Sequence, residues 1–338
     1  MSDRPDPRRP SPDPAPARAG EPAALGRREA VQRISAAALA AAAVGAGTLG
    51  FLDRRTASAA VPAIRDWRAA VPGDAGRTFA ARGDDPAQNV RRALAALGGI
   101  ERFVRPGEIV LVKPNVGWDR LPEQAANTDP RVVAAVVQLC RGAGARRVVV
   151  ADISCNDPGR CFSRSGVLAA AAAAGAEVLD ARKLEMVAAD LPGAAAGQEV
   201  MAPLLSADRV INVPVAKHHS LSRVTVGMKN WMGVLGRGRN RLHQDIDRSI
   251  AELGAVFRPT LTIVDATRVL LANGPQGGSL EDVKAVAAVC AGLDPVLCDA
   301  WGAVQLGVDP RTLGFIVEAE RRGLGKGDPS LVRELGKA

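Results

Sequence analysis

From Pro106 onward, short apolar runs alternate with helical stretches at a spacing that leaves few folds open. Glu108-Ile109-Val110-Leu111-Val112-Lys113 is bounded by Pro-Gly and Pro-Asn, the pattern of a buried strand. Asp129-Pro130 then starts a helix running through Cys140, with Asp as N-cap and Pro in the first turn, and Gly142 or Gly144 ends it. Arg147 to Asp152 is the next strand, a helix over Ser165 to Ala174 closes at Gly175, and Glu177 to Asp180 is a third strand. Strand, helix and strand at these distances predict right-handed βαβ units. Further strands are expected at Arg209–Val213, Thr260–Asp265 and Val283–Cys290, and helices near Gln244–Val256, Pro295–Leu306 and Thr312–Arg322. The expected fold class is α/β, a parallel or mostly parallel sheet with flanking helices; a second lobe with a cleft between the two stays open.

Composition agrees. A chain of 338 residues that is 47% hydrophobic is too apolar to be disordered, and with 3% aromatics and no Tyr its core must be built from Ala, Val, Leu and Ile. That argues against a Tyr- and Trp-rich sandwich. The net charge of +8 divides unevenly, because residues 1–59 hold nine Arg against six acids and leave 35 basic against 30 acidic residues beyond them. A moderately basic body with so few stacking residues excludes nucleic acid as a partner.

Residues 1–25 carry seven of the 23 prolines among Asp, Arg and Ser and read as a disordered leader. Over residues 26–59, Arg27-Arg28 precedes a nearly uncharged Ala/Gly-rich run from Ile34 to Leu52, which ends before Ala57-Ser58-Ala59. This resembles a twin-arginine export signal, which implies the twin-arginine export machinery as a partner and a mature chain outside the cytoplasm. If uncleaved, the same run is long enough to anchor the chain in a membrane; no other membrane contact is expected. Residues 60–105 are expected as an N-terminal extension packing on the body, residues 106–338. Cys140, Cys290 and Cys298 sit among Val, Leu and Ala and read as core, whereas Cys155 and Cys161 flank Pro158-Gly159 and are spaced to close a small disulfide loop after export.

The chemistry concentrates between Asp208 and Asp245. That stretch holds seven Lys or Arg residues, no acid, and all three histidines, His218, His219 and His243. A single-sign cluster in one loop-rich segment attracts anions. Met228, Trp231 and Met232 interleave with the charges, so part of the segment must be covered, and a covered Lys or His finds an anionic partner or shifts its pKa. In parallel sheets ligands collect beyond the carboxyl ends of strands, and here those ends carry Lys113-Pro114-Asn115, Asp152, Lys217 to His219 and Asp265. The expected catalytic residues are His218, His219, Lys229 and Asp265, and the expected binding residues are Lys113, Asn115, Lys217, Asn230, Gly233 and Gly274. His243, Asp152 and Asp299 are candidates for a divalent metal. There is no Walker A sequence, CxxC or GxSxG.

Val112-Lys113-Pro114-Asn115, Thr128-Asp129-Pro130, Ile211 to Pro214 with Lys217-His218, Met228 to Gly233, Val264-Asp265 and Asp294-Pro295 together resemble the DUF362 family over about residues 106–309. The resemblance implies the fold and the place of the site, not a reaction. His219 also precedes Lys229 by ten residues and His243 follows, a spacing similar to the lactate racemase family. That resemblance implies a nickel-pincer nucleotide carried on Lys229, His219 or His218 moving a proton, and His243 as metal ligand. Two readings stay open: an enzyme performing acid/base chemistry on an anionic small molecule, with or without a cofactor, and a non-enzymatic anion- or cofactor-binding protein.

Overall fold

Asp-Pro pairs start the helices. Asp85, Asp129, Asp157 and Asp294 each accept a backbone N–H from the first turn of the helix they precede, and the proline that follows each one occupies a position with no hydrogen bond to lose. In the computed structural model, residues 61–68 and 76–336 are described; the expected leader and the expected export signal lie outside them.

The first half comprises β1 (Thr78–Arg82), α1 (Pro86–Ala96), β2 (Ile109–Pro114), α2 (Pro130–Gly142), β3 (Arg147–Val150), α3 (Pro158–Arg164), α4 (Val167–Ala173) and β4 (Glu177–Val178). A short antiparallel pair, β5 (Met186–Ala188) and β6 (Glu199–Met201), leads through α5 (Ala202–Ser206) to β7 (Arg209–Val213), β8 (Val215–His219) and β9 (Arg223–Thr225). Next come α6 (Gly227–Asn230), α7 (Ile246–Val256), β10 (Leu261–Leu270) and β11 (Val283–Gly292). The chain finishes with α8 (Pro295–Gln305), α9 (Gly314–Arg321) and β12 (Arg333–Leu335).

Ten strands form the main sheet, in the order β12-β1-β11-β10-β7-β2-β3-β4, with β8 pairing to both β10 and β9. From β4 to β10 the neighbours are parallel, whereas β11 runs antiparallel to β10 and to β1. The parallel part of the sheet therefore starts at β2, winds outward through β3 to β4, and returns to place β7 on the other side of β2. The strand order reverses between β2 and β7, the kind of edge at which α/β sheets open a crevice. Lys113 pairs in register with Asn212 at that switch point.

Side chains alternate between the two faces. Val110 and Val112 join an apolar layer with Val90, Leu94, Val133 and Val136 of α1 and α2, while Leu111 and Val210 join another with Ile250, Leu253, Leu297 and Phe315 of α7, α8 and α9. Both faces are covered by helices, which is why these strands read as continuous apolar runs.

Four expectations need revision. Residues 60–105 do more than pack on the body, since β1 is a strand of the main sheet between β11 and β12. The helix expected over 165–174 is α4, but it is preceded by a further helix that was not expected, α3, which ends at Ser165-Gly166. The strand expected to stop at Asp265 continues to Leu270 past a register shift between Ala266 and Arg268. Val61 onward forms one unit, so a sheet edge, rather than a cleft between lobes, carries the site.

Candidate functional site

The strand ends β2, β3 and β8, with the segment from α6 to His243, surround a cavity of about 820 Å³. Its floor is a fully partnered polar layer. Lys113 is completely buried, and its ammonium lies 2.5 Å from Asp152 Oδ1, 3.0 Å from Asn230 Oδ1 and 2.9 Å from the Pro114 carbonyl. The other Asp152 oxygen accepts the Val116 N–H at 2.7 Å. Asn230 also accepts from Asn115 Nδ2 at 3.0 Å and donates to Asn212 Oδ1 at 2.8 Å. Burial pushes Lys113 below the usual lysine range against the pull of Asp152. Gly233 closes over this pair: a Cβ there would sit 2.1 Å from Asp152 Oδ1 and 2.7 Å from Lys113 Nζ.

The wall is different. Along β8 the pleat turns Lys217 and His219 to one side and His218 to the other. Lys217 donates to Asn115 Oδ1 at 2.9 Å and to the Ala126 carbonyl. Burial, with like charge from Lys229 and Lys113, lowers it to about 7. Lys229 is 8% exposed, and the contact of its ammonium is the Met232 thioether at 3.6 Å. Burial, reinforced by Arg239, lowers it to about 8. Arg239 donates to the carbonyls of Ile153, Met232 and Ser154, so it staples the β3 loop to the α6 segment, and none of these partners is a carboxylate.

The two histidines of the cavity are held in opposite tautomers. His219 Nδ1 accepts the backbone N–H groups of Leu221 and Ser222 at 3.1 and 3.4 Å, which leaves the proton on Nε2. Burial and the neighbouring Lys229 and Lys217 lower its pKa to about 3, so the ring stays neutral and acts as a donor. His243 Nδ1 lies 3.3 Å from the Asn240 carbonyl, an acceptor only, which leaves Nε2 as a lone pair. Burial and Lys229 hold His243 below the ordinary imidazole range, and the two ring centroids are 6.0 Å apart.

Of the residues expected from the sequence, Asn115, Asp152, Lys217, His219, Lys229, Asn230, Gly233 and His243 line the cavity, and Lys113 lies directly beneath it. Four do not line it. His218 Nδ1 accepts the Gly274 N–H at 3.0 Å, and a Cβ on Gly274 would collide with the His218 carbonyl at 2.0 Å, so these two residues lock a loop to β8. Asp265 is buried at the start of α2, accepting from Asp129 N at 2.7 Å and Thr267 N at 2.9 Å; burial and the Asp129 carboxylate raise it to about 6. Asp299 accepts from Gly227 N at 2.7 Å and Met228 N at 3.1 Å, supporting the turn that presents Lys229. Burial raises it to about 7.

The metal set of His243, Asp152 and Asp299 is therefore dispersed, and among the described residues no three His, Cys, Asp or Glu side chains gather to hold an ion. Asp152 is committed to Lys113 and Asp299 to backbone. A divalent metal does not fit these donors. The disulfide is also absent: Cys155 and Cys161 are free thiols, the first exposed on the cavity and the second buried in α3. Cys155 and Trp118 were missed as lining residues, since neither stands in a patterned segment and only the loops after β2 and β3 bring them to the cavity.

The chain is similar to a thylakoid-associated protein of Synechocystis sp., 29% identical over 248 residues, which are 70% of this chain and 74% of that relative. The family model described as Domain of unknown function (DUF362) matches residues 110–304. That stretch is more than half of the chain and runs from β2, which carries Lys113 and ends just before Asn115, into α8, which carries Asp299, and so this chain belongs to the DUF362 family.

Proposed function

We propose that the chain binds a small anionic molecule in the cavity at the β2/β7 switch point and moves a proton on it. The observation that carries this reading is the charge balance. Lys217, Lys229, Arg237 and Arg239 line the cavity, while its one carboxylate, Asp152, is already paired with Lys113. Cations held without a carboxylate in one cavity favour an incoming carboxylate or phosphate. His219 supplies a fixed N–H to the oxygen of the bound molecule, and the lone pair of His243, whose ring stacks 6.0 Å from that of His219, supplies a base.

Calorimetric titration at low salt with inorganic phosphate, pyrophosphate and small dicarboxylates tests the binding. One site per chain is expected, weakened at least tenfold by Lys229→Met, which removes a charged hydrogen bond. No heat from any of these anions, or equal binding by Lys229→Met, overturns the reading.

The same proposal places the protein outside the cytoplasm, on the strength of Arg27-Arg28, the run Ile34 to Leu52 and Ala57-Ser58-Ala59. Arg27→Lys with Arg28→Lys is expected to trap the precursor inside, and mature protein is expected to begin near Ala60. Unchanged export of the double variant contradicts this.

A further inference from the structure

Lys229 is a poor choice for a residue that only holds an anion. It lies in a recess with a thioether as its partner, and Lys217 and Arg239 share the same wall. A lysine kept for charge alone is better served by hydration or a carboxylate, both of which stabilise the ammonium; this setting favours the free amine, a nucleophile. Lys229 also sits at about 8, within reach of neutral pH. In the same cavity, His219 is locked as a neutral N–H donor by two backbone bonds, a group suited to polarising a carbonyl oxygen without giving up its proton.

We infer that Lys229 forms an imine with the carbonyl carbon of an anionic oxo compound, a 2-oxo acid or an aldehyde carrying a carboxylate or phosphate, whose anionic group is held by Lys217 and Arg239. This deepens the proposed anion site and rests on it. The Lys229 lone pair forms the C–N bond while the C=O π electrons move to oxygen, which the His219 Nε2–H stabilises. The nitrogen releases a proton to cavity water and the oxygen takes one up, giving a carbinolamine. Loss of that oxygen as water, with the second nitrogen proton, leaves C=N. One water is released, and no oxidant or reductant is consumed.

The test uses glyoxylate and pyruvate with the folded protein. Binding is first measured by calorimetry; cyanoborohydride is then added, and the adduct is located by peptide mass spectrometry. Wild-type protein is expected to bind and to carry one reduced adduct on Lys229. Lys229→Arg keeps the cation but lacks the nucleophile, so it is expected to retain binding within a few-fold and to lose the adduct. His219→Ala is expected to slow adduct formation at least tenfold. Binding without an adduct, or an adduct confined to other lysines, overturns the imine and leaves the anion site standing. Absence of both binding and adduct overturns the two together.

Discussion

Two lysines at the same cavity have opposite surroundings. Lys113 is surrounded by a carboxylate, an amide oxygen and a carbonyl, each within 3.0 Å, whereas Lys229 meets a sulfur. The first arrangement holds the ends of β2 and β3 to α6 and has no capacity left for a ligand. The second leaves a buried amine with no carboxylate beside it, which costs folding free energy when charged and is retained where something else is to be held. Within one cavity, then, the carboxylate-paired floor is structure, and the wall, whose cations have no carboxylate partner, is the place to look for function.

The largest effect is expected where the floor is broken. Asp152→Ala leaves the Lys113 ammonium buried and unpaired, so unfolding in urea is expected to lose about 3–5 kcal/mol. Gly233→Ala drives a methyl group into the same pair and is expected to cost about 1–3 kcal/mol, with Asp152 or the loop displaced.

The wall is expected to respond with the opposite sign. Lys229→Met removes an amine whose charged form is penalised by burial, so stability at pH 7 is expected to stay level or rise by about 1–3 kcal/mol while anion binding falls. Linkage sharpens the point. Between about 8 and the ordinary lysine value near 10.5, the unfolded chain binds the proton that folded Lys229 has lost, so wild-type stability rises with pH in that window relative to Lys229→Met. Loss of stability in Lys229→Met comparable to Asp152→Ala erases the distinction between floor and wall.

A smaller effect follows from pH acting on binding. Below pH 7 both Lys217 and Lys229 carry charge, and raising the pH through 7 and 8 removes those charges. Anion affinity measured at pH 6 and pH 9 is expected to fall, by about tenfold for each charge lost. The smallest effect belongs to the rim: Arg237→Ala is expected to cost about 0.5 kcal/mol of binding and to do so only at low salt.

Much of the fold could be read because its signals are local. The strand before Lys113, the strand Arg209–Val213 and the Asp129-Pro130 and Asp294-Pro295 starts are written in apolar runs and caps that do not depend on distant residues. β8 was not legible as a strand, because Lys217-His218-His219 looks like loop, and it is strand only through pairing with β9 and β10. The site followed the same rule. The spacing of His219, Lys229 and His243 brought them to one cavity. It did not show that His218 turns away on the pleat, nor that Asp265 and Asp299 spend their oxygens on the backbone of other elements. Direction and partner are tertiary properties, and a charged residue at a strand end reads alike whether it is satisfied or not.

The central claim, that Lys229 is a buried amine without a carboxylate, is open to direct titration. Protein labelled with carbon-13 at lysine Cε is followed by NMR from pH 6 to 11, with Lys229→Met and Lys217→Met to assign the two resonances. A Lys229 signal titrating near 8, well below the surface lysines, is the expected result. A Lys229 signal that titrates at 10 or above contradicts the account.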